Sequence, residues 1–224
     1  MEQVQQRSVE WYQQRLGRFT ASEISRLLGK LTTQAGLKTF ESYCMEKAIE
    51  SVYGMIEDDY VSPDMQRGID QEPYAFDKLW EILGERFINA GKAYFIAYGE
   101  HAGASPDGMA ELNDVIEIKC PKPATFFKYC LTGDIPDNHY DQMQMQLLCT
   151  GGEKAYYFNY LTHMGEEYFH LKVVPRDNDR IALIEQRIAM AIELKLEYIE
   201  KLKSTVNYVA SFDSELGATI IEKP

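Results

Sequence analysis

The chain has 224 residues, of which 45% are hydrophobic and 26% charged, the composition of a globular protein with a substantial core. Its formal net charge of −12 argues against a protein that coats nucleic acid with a broad basic surface. The charge is uneven, because residues 1–39 carry a net charge of +3 and the remainder −15. One short contact with DNA near the N-terminus is compatible with this distribution.

The hydropathy pattern and the cysteines argue against a membrane protein and a secreted protein. No apolar run reaches the roughly 18 residues of a membrane span, and residues 1–4 lack the basic and apolar regions of a signal peptide. The cysteines are scattered without a CxxC pair, so we expect reduced thiols in a cytoplasmic protein, and neither an iron–sulfur cluster nor a zinc site. They are Cys44, Cys120, Cys130 and Cys149.

Two short helices are predicted near the N-terminus. The first covers Ser8–Leu16, and residues 20–23 have the form of a capping box that opens a second helix, Ala21–Leu28. Backbone N–H groups at a helix start attract phosphate. Ser22 lies in that first turn and Arg15 lies shortly before it, so either a phosphate contact or ordinary capping beside a solvated arginine explains the pattern.

Two longer helices are predicted next, Thr39–Tyr53 and Asp64–Gly84. The second contains Pro73, which lacks an N–H group and clashes with the preceding turn, so we expect a kink or a restart there. Glu72 directly precedes this break. Its carboxylate either favours a helix start through the helix dipole or is aimed at a metal site from another element.

The stretch from residue 104 to residue 119 holds the most informative pattern. Strands predicted at Arg86–Ala90 and Ala93–Tyr98 lead into it and extend the same sheet. A proline and a glycine bracket Asp107 as turn residues, and Val115–Lys119 has the β-branched residues of a strand. In a hairpin, Asp107 and Glu117 would be neighbours, roughly 5 Å apart across the strands.

Two carboxylates and an ammonium group in this arrangement suit the hydrolysis of a phosphodiester. Asp107 and Glu117 offer the oxygen ligands that Mg²⁺ prefers, and a bound metal activates water and neutralises charge on the attacked phosphate. Lys119 shares a strand face with Glu117, so it can orient that water and stabilise the developing charge. A surface hairpin with solvated charges is the alternative interpretation.

The rest of the chain completes an α/β pattern. Helices are predicted over Pro123–Leu131, Pro136–Thr150 and Asp177–Lys203, and strands over Lys154–Leu161 and Tyr168–Val174. This order predicts a mixed central sheet covered by helices.

Two glutamines of the second of these helices leave a question open. Gln142 and Gln146 lie one helical turn apart and share a stripe. Such a stripe is commonly a solvated face, and the sequence pattern alone favours that interpretation.

Taken together and in order, five blocks of this sequence resemble the lambda-exonuclease type of phage recombination nuclease, also called the YqaJ-type viral recombinases. The blocks are Trp11-x-x-x-Arg15-Leu16-Gly17 with Thr20-Ala21-Ser22-Glu23; Gly68-x-x-x-Glu72; Ser105-Pro106-Asp107-Gly108; Glu117-Ile118-Lys119-Cys120-Pro121; and Tyr140-x-Gln142-x-Gln144. They span about residues 11 to 160, and their order and spacing make the match specific.

The resemblance implies a restriction-endonuclease-like core and a two-metal site. Asp107, Glu117 and the backbone carbonyl of Ile118 would ligate Mg²⁺, for which Mn²⁺ would substitute. Glu72 would support the second metal through water, and Lys119 would position the attacking water.

The resemblance also implies a pocket for the 5′ phosphate of the strand being cut. Its residues would be Arg15, Ser22, Ser105 and Gln142. The whole chain, residues 1–224, would be one nuclease domain. Residues 1–60 would contribute to DNA-end binding, about 64–175 would form the catalytic core, and about 177–203 would form the C-terminal helix.

The activity implied is processive 5′→3′ digestion of one strand of linear duplex DNA, which leaves a 3′ single-stranded tail for phage-type recombination. The implied partners are DNA ends, a single-strand annealing protein and two further copies of the chain in a ring-shaped homotrimer. The implied location is the cytoplasm of a bacterial cell, with the gene carried by a phage or prophage.

Two alternatives remain open from the sequence. One is a structure- or sequence-specific endonuclease on the same core, which would cut covalently closed circular DNA. The other is a non-catalytic module that binds DNA ends or protein, against which the intact Asp107, Glu117 and Lys119 argue.

Overall fold

The fold begins with a short helix, α1 (Val9–Arg15), as predicted to within one residue at each end. Its N-cap is Ser8, whose side chain accepts a hydrogen bond from the amide of Trp11. The computed structural model describes residues 8–54, 62–86, 95–205, 209–213 and 218–222, the last two segments by their backbone alone.

The segment after α1 is tighter than predicted. It forms β1 (Phe19–Thr20) and then a 3₁₀ helix, Ala21–Leu27, in place of the predicted α-helix. The capping-box prediction is wrong, because Thr20 is the N-cap residue but its side chain makes no capping bond. Glu23 lies in the first turn, but its side chain accepts a hydrogen bond from Arg26.

The next helix, α2 (Gln34–Tyr53), begins five residues earlier than predicted. The reason is local, since the side chain of Thr33 accepts a hydrogen bond from the amide of Gly36 and caps the helix there. The helix ends at Gly54, which adopts the left-handed conformation with φ of 65°.

Helix α3 (Pro63–Leu83) runs through Pro73 without interruption, so the predicted restart is wrong, while the alternative of a kink stays a prediction. A proline inside a helix costs about 3 kcal/mol. The packing of Ala75 and Leu79, both fully buried against the central sheet, offsets that cost. Glu72 is therefore presented from the middle of a helix and not from a helix start.

A small sheet lies beside the N-terminal helices. Its strands are β1, β2 (Ile96–Tyr98) and β3 (Ala102–Ala104), in the order β1-β3-β2. The strand predicted at 86–90 begins wrongly, because Gly84–Arg86 is a 3₁₀ turn, and residues 87–90 lie outside the described part. The prediction that these strands extend the hairpin of Asp107 and Glu117 is also wrong, since β2 pairs only with β3 in the described strands.

The central sheet has four strands and is mixed. Its elements in chain order are β4 (Gly108–Met109), β5 (Val115–Lys119), α4 (Pro123–Thr132), α5 (Asp137–Thr150), β6 (Lys154–His163) and β7 (Glu166–Pro175). The strand order is β4-β5-β6-β7, with β5 and β6 parallel and the outer pairs antiparallel. The parallel pair requires a crossover, which α4 and α5 provide.

Helices cover both faces of this sheet, which confirms the predicted α/β class with a mixed sheet flanked by helices. Alternation along β5 sends Ile116 and Ile118 toward α3, and Val115 toward Met143 and Leu147 of α5. The alternative of a surface hairpin with solvated charges is wrong for the face of β5 that carries Glu117. This face is covered by α5, so Glu117 is only 1% exposed.

The long helix α6 (Asn178–Thr205) packs on α2. Its buried face includes Ile181, Ile184, Ile188 and Ala191, and Lys195 is buried as well, while Leu196 is 44% exposed. A hairpin of β8 (Val209–Asp213) and β9 (Ala218–Glu222) follows. None of the helices in the described ranges is both long enough and apolar enough to cross a lipid bilayer.

Candidate active site

An arginine and two serines from distant parts of the chain meet beside α1. The Arg15 guanidinium donates through Nη1 to Ser105 Oγ at 3.1 Å and through Nη2 to Ser22 Oγ at 3.0 Å. Its carbon Cζ lies 4.1 Å from the ring centre of Trp11, one turn earlier on the same helix. The guanidinium is thus held on three sides, and the interpretation of Arg15 as a solvated side chain is wrong.

A second cluster surrounds Glu117 on β5. Gln142 Nε2 donates to one carboxylate oxygen at 2.7 Å, and Gln146 Nε2 donates to the other at 2.6 Å. Lys119 Nζ lies 2.5 Å from Glu117 Oε1 and 3.4 Å from Gln142 Oε1. The glutamines do not form a solvated face, since their side chains hold a buried carboxylate.

Asp107 joins this cluster from the turn before β4. Its amide donates to the Ile116 carbonyl at 3.1 Å, and its Oδ2 accepts from the Ile118 amide at 2.8 Å. Gly108 pairs with Ile116 in the register of the two strands. Extended by one residue, that register sets Asp107 opposite Glu117, as the predicted hairpin required.

The electrostatics of the site are dominated by buried negative charge. Burial and the neighbouring Glu117 charge raise the pKa of Asp107 well above its usual range, and the Glu72 charge adds to the effect. Burial lowers the pKa of Lys119, but the charges of Glu117 and Asp107 outweigh it and the pKa is raised overall. Lys119 is therefore an ammonium group at neutral pH.

One cleft of about 770 Å³ is lined by residues of both clusters. Every residue that the sequence analysis assigned to the site lines it. These residues are Arg15, Ser22, Glu72, Ser105, Asp107, Glu117, Ile118, Lys119 and Gln142. The structure thus brings the predicted site residues together, while the role of each one stays a prediction.

The donor set of this cleft fits a hard divalent cation. Asp107, Glu117 and the Ile118 carbonyl are oxygen donors, and burial together with the Glu117 charge raises the pKa of Asp107, so a bound cation would offset the negative charge gathered there. Within the described residues, no three side chains of His, Cys, Asp or Glu converge closely enough to hold a metal ion by themselves. A metal here would need the backbone carbonyl and water molecules as further ligands, and Mg²⁺ typically keeps several water ligands in proteins.

Three side chains of the site escaped the sequence analysis. Trp11 was recognised only as part of a block, yet it stacks on Arg15. Gln146 was assigned to a solvated face, although its spacing of four residues from Gln142 was a usable signal. Arg67 was not singled out; it lines the cleft and precedes the glycine of the Gly68-x-x-x-Glu72 block.

Comparisons with solved structures give similar folds. The alkaline exonuclease LHK-Exo from Laribacter hongkongensis superposes with a TM-score of 0.75 at 28% identity, covering 88% of this chain and 97% of that chain. The structure of LHK-Exo in complex with dAMP gives a TM-score of 0.73 with the same identity and coverage. A phage related exonuclease from Haemophilus somnus 129PT gives 0.61 at 15% identity, covering 83% and 96%, and supports the fold alone.

Among curated proteins, no sequence matches this chain. The similarity to these exonucleases supports the predicted restriction-endonuclease-like core. The family model described as the YqaJ-like viral recombinase domain matches residues 10–153, which is more than half of the chain. The match includes α1, both clusters of the cleft and the crossover helices, so this chain belongs to the family of YqaJ-like viral recombinases.

Proposed function

We propose that the protein is a Mg²⁺-dependent exonuclease that digests one strand of linear duplex DNA from a 5′-phosphorylated end. The observation that carries the proposal is the convergence of Asp107, Glu117 and Lys119 in one cleft with the Arg15 cluster. The exonuclease neighbours support the class of reaction. The complex of LHK-Exo with dAMP supports mononucleotide binding, since dAMP is the kind of product that stepwise digestion releases.

The residues divide into those that hold the DNA end and those that act on the bond. Arg15 offers a fixed guanidinium, and such groups bind phosphate through paired N–H donors. Ser22 and Ser105 supply hydroxyl donors at its two sides. An end anchored there would leave its first phosphodiester bond near Asp107 and Glu117, which gives the 5′→3′ direction and the dependence on a terminal phosphate.

Hydrolysis needs an activated water and relief of negative charge on the phosphate. Mg²⁺, when bound, lowers the pKa of a coordinated water and neutralises phosphate charge. Asp107, Glu117 and the Ile118 carbonyl would hold the ion, and Glu72 would act through water. Lys119 stays protonated beside them, so it serves as a hydrogen-bond donor and a charge for the reacting groups rather than as a general base.

The assay that tests the proposal follows nucleotide release from linear duplex with a 5′ phosphate, with and without EDTA. We expect digestion in Mg²⁺ or Mn²⁺ and none in EDTA. Lys119→Ala should abolish cleavage while DNA binding persists. Arg15→Ala should slow digestion of 5′-phosphorylated ends and leave the slower digestion of 5′-hydroxyl ends unchanged.

Three outcomes would contradict the proposal. Full cleavage by Lys119→Ala would remove the role of that residue, and equal loss by Arg15→Ala on both kinds of end would remove the phosphate pocket. Cutting of covalently closed circular DNA would favour an endonuclease. Light scattering of the same samples tests the proposed homotrimer, and pull-down of a co-encoded annealing protein tests that partner.

A further inference from the structure

Arg67 on α3 has an unusual environment in the wall of the cleft. Its Nη2 donates to the backbone carbonyl of Cys120 at 3.0 Å, which anchors the guanidinium to the end of β5. Its Nη1 is buried and has no hydrogen-bond partner among the described residues. A buried, charged donor without an acceptor is unfavourable, so the free protein leaves a binding capacity unused at this point.

The chemistry of that unused donor selects an anion with oxygen atoms. A guanidinium is always protonated and only donates, and its planar fork matches phosphate oxygens. The two lysines of the cleft already pair with carboxylates. Lys119 contacts Glu117, and Lys122 contacts Asp64 at 2.6 Å.

The position of Arg67 indicates which phosphate it would meet. The carbonyl that anchors it belongs to the residue directly after Lys119, just past the end of the strand that carries Glu117. Arg67 also lines the same cleft as Asp107, Glu117 and Lys119. Arg67 therefore shares its surroundings with the groups that would act on the bond.

We propose that Arg67 binds a non-bridging oxygen of the phosphate being cleaved, through the N–H groups of Nη1. The proposal rests on the proposed nuclease function. In the reaction, the oxygen of a water bonds to phosphorus and loses a proton, the bond from phosphorus to the 3′ oxygen breaks, and that oxygen takes up a proton. Arg67 stabilises the negative charge that accumulates on the non-bridging oxygen, and Nη2 stays on the Cys120 carbonyl.

A purely structural role for Arg67 would be to hold the end of β5, and the test must separate the two. We would measure DNA affinity with Ca²⁺ replacing Mg²⁺, on three 5′-phosphorylated duplexes that differ at one linkage. One is unmodified, one has a neutral methylphosphonate at the first linkage of the 5′ end, and one has it at the third linkage. Binding is compared for wild type, Arg67→Met and Arg67→Lys.

The expected result is a loss that depends on the linkage. Arg67→Met should weaken binding of the unmodified duplex about tenfold, as for loss of one charged hydrogen bond. It should weaken binding of the duplex modified at the third linkage by the same factor. On the duplex modified at the first linkage, Arg67→Met and wild type should bind within about twofold, because the contact is already absent. Arg67→Lys should give an intermediate loss with the same dependence.

Lys122→Met is the matched control, because it removes a cation of the same cleft wall whose side chain is 58% exposed. Lys122→Met should change the affinity for all three duplexes by the same factor. An equal effect of Arg67→Met on all three duplexes, or no effect on any, would overturn the proposal. If Arg67→Met does not fold, Arg67→Lys decides by the same comparison. Failure of wild type to cleave in Mg²⁺ would instead overturn the proposed function, because the binding comparison does not depend on cleavage.

Discussion

Gln146 offers a direct test of how the glutamines of α5 support the site. Its side chain is fully buried, and Nε2 donates at 2.6 Å to Glu117 Oε2, on a carboxylate that is 1% exposed. We consider the substitution Gln146→Leu, which keeps a similar volume and removes this donor. Glu117 then keeps Gln142 and Lys119 as its partners.

The magnitude follows from two opposing contributions. Loss of a hydrogen bond to a charged group destabilises by about 1.5–3 kcal/mol. Gln146 Oε1 is buried without a hydrogen-bond partner among the described residues, so removing this oxygen should stabilise the fold by about 1 kcal/mol. The free energy of unfolding should therefore fall by about 0.5–2 kcal/mol, which corresponds to a decrease in melting temperature of about 1–8 °C for a chain of this size.

The substitution should also affect the metal site, since Glu117 is a proposed ligand. Outer hydrogen-bond partners of ligands typically contribute 10- to 100-fold in metal affinity or activity. Urea unfolding followed by tryptophan fluorescence would give the stability, and Mg²⁺ titration of digestion would give the metal requirement.

Gln144→Leu is the control on the same helix. Gln144 is fully buried, but it binds the Pro175 carbonyl at 3.0 Å and the Asp177 amide at 2.8 Å, away from the cleft. We expect it to lose stability by about 1–3 kcal/mol with an unchanged Mg²⁺ requirement. The reasoning is refuted if Gln146→Leu keeps the wild-type Mg²⁺ requirement, or if both variants shift that requirement equally.

The remaining predictions concern buried groups elsewhere in the fold. Burial lowers the pKa of His139 from 6.5 to about 4, so the unfolded chain takes up a proton first as the pH falls. The free energy of unfolding should therefore decline between about pH 6.5 and 4. His139→Gln should flatten this part of the profile of stability against pH, measured by urea unfolding. Gly103→Ala should destabilise by roughly 1–3 kcal/mol in thermal unfolding, because a new Cβ would lie 2.2 Å from the Phe95 ring and 2.7 Å from a strand carbonyl. Burial and nearby carboxylates raise the pKa of Cys120 to about 12, so mass spectrometry should find it alkylated by iodoacetamide at pH 8 far more slowly than in the urea-unfolded chain.

The sequence by itself determined the parts of the site that are local. Turn residues around Asp107 and the β-branched strand through Glu117 and Lys119 specify a hairpin, and alternation along a strand fixes which side chains share a face. Most helices were predicted from apolar spacing for the same reason, although their ends depended on caps such as Thr33.

Only the tertiary structure decided what depends on distant partners. Arg15 and Ser105 meet across 90 positions of sequence, and Gln146 becomes buried because Glu117 lies beneath it. α3 continues through Pro73 because the residues that follow, Ala75 and Leu79, pack on the central sheet. Local spacing specifies backbone geometry and the direction of side chains, but burial and charge pairing depend on which surfaces come together, and that is set by packing of the whole chain.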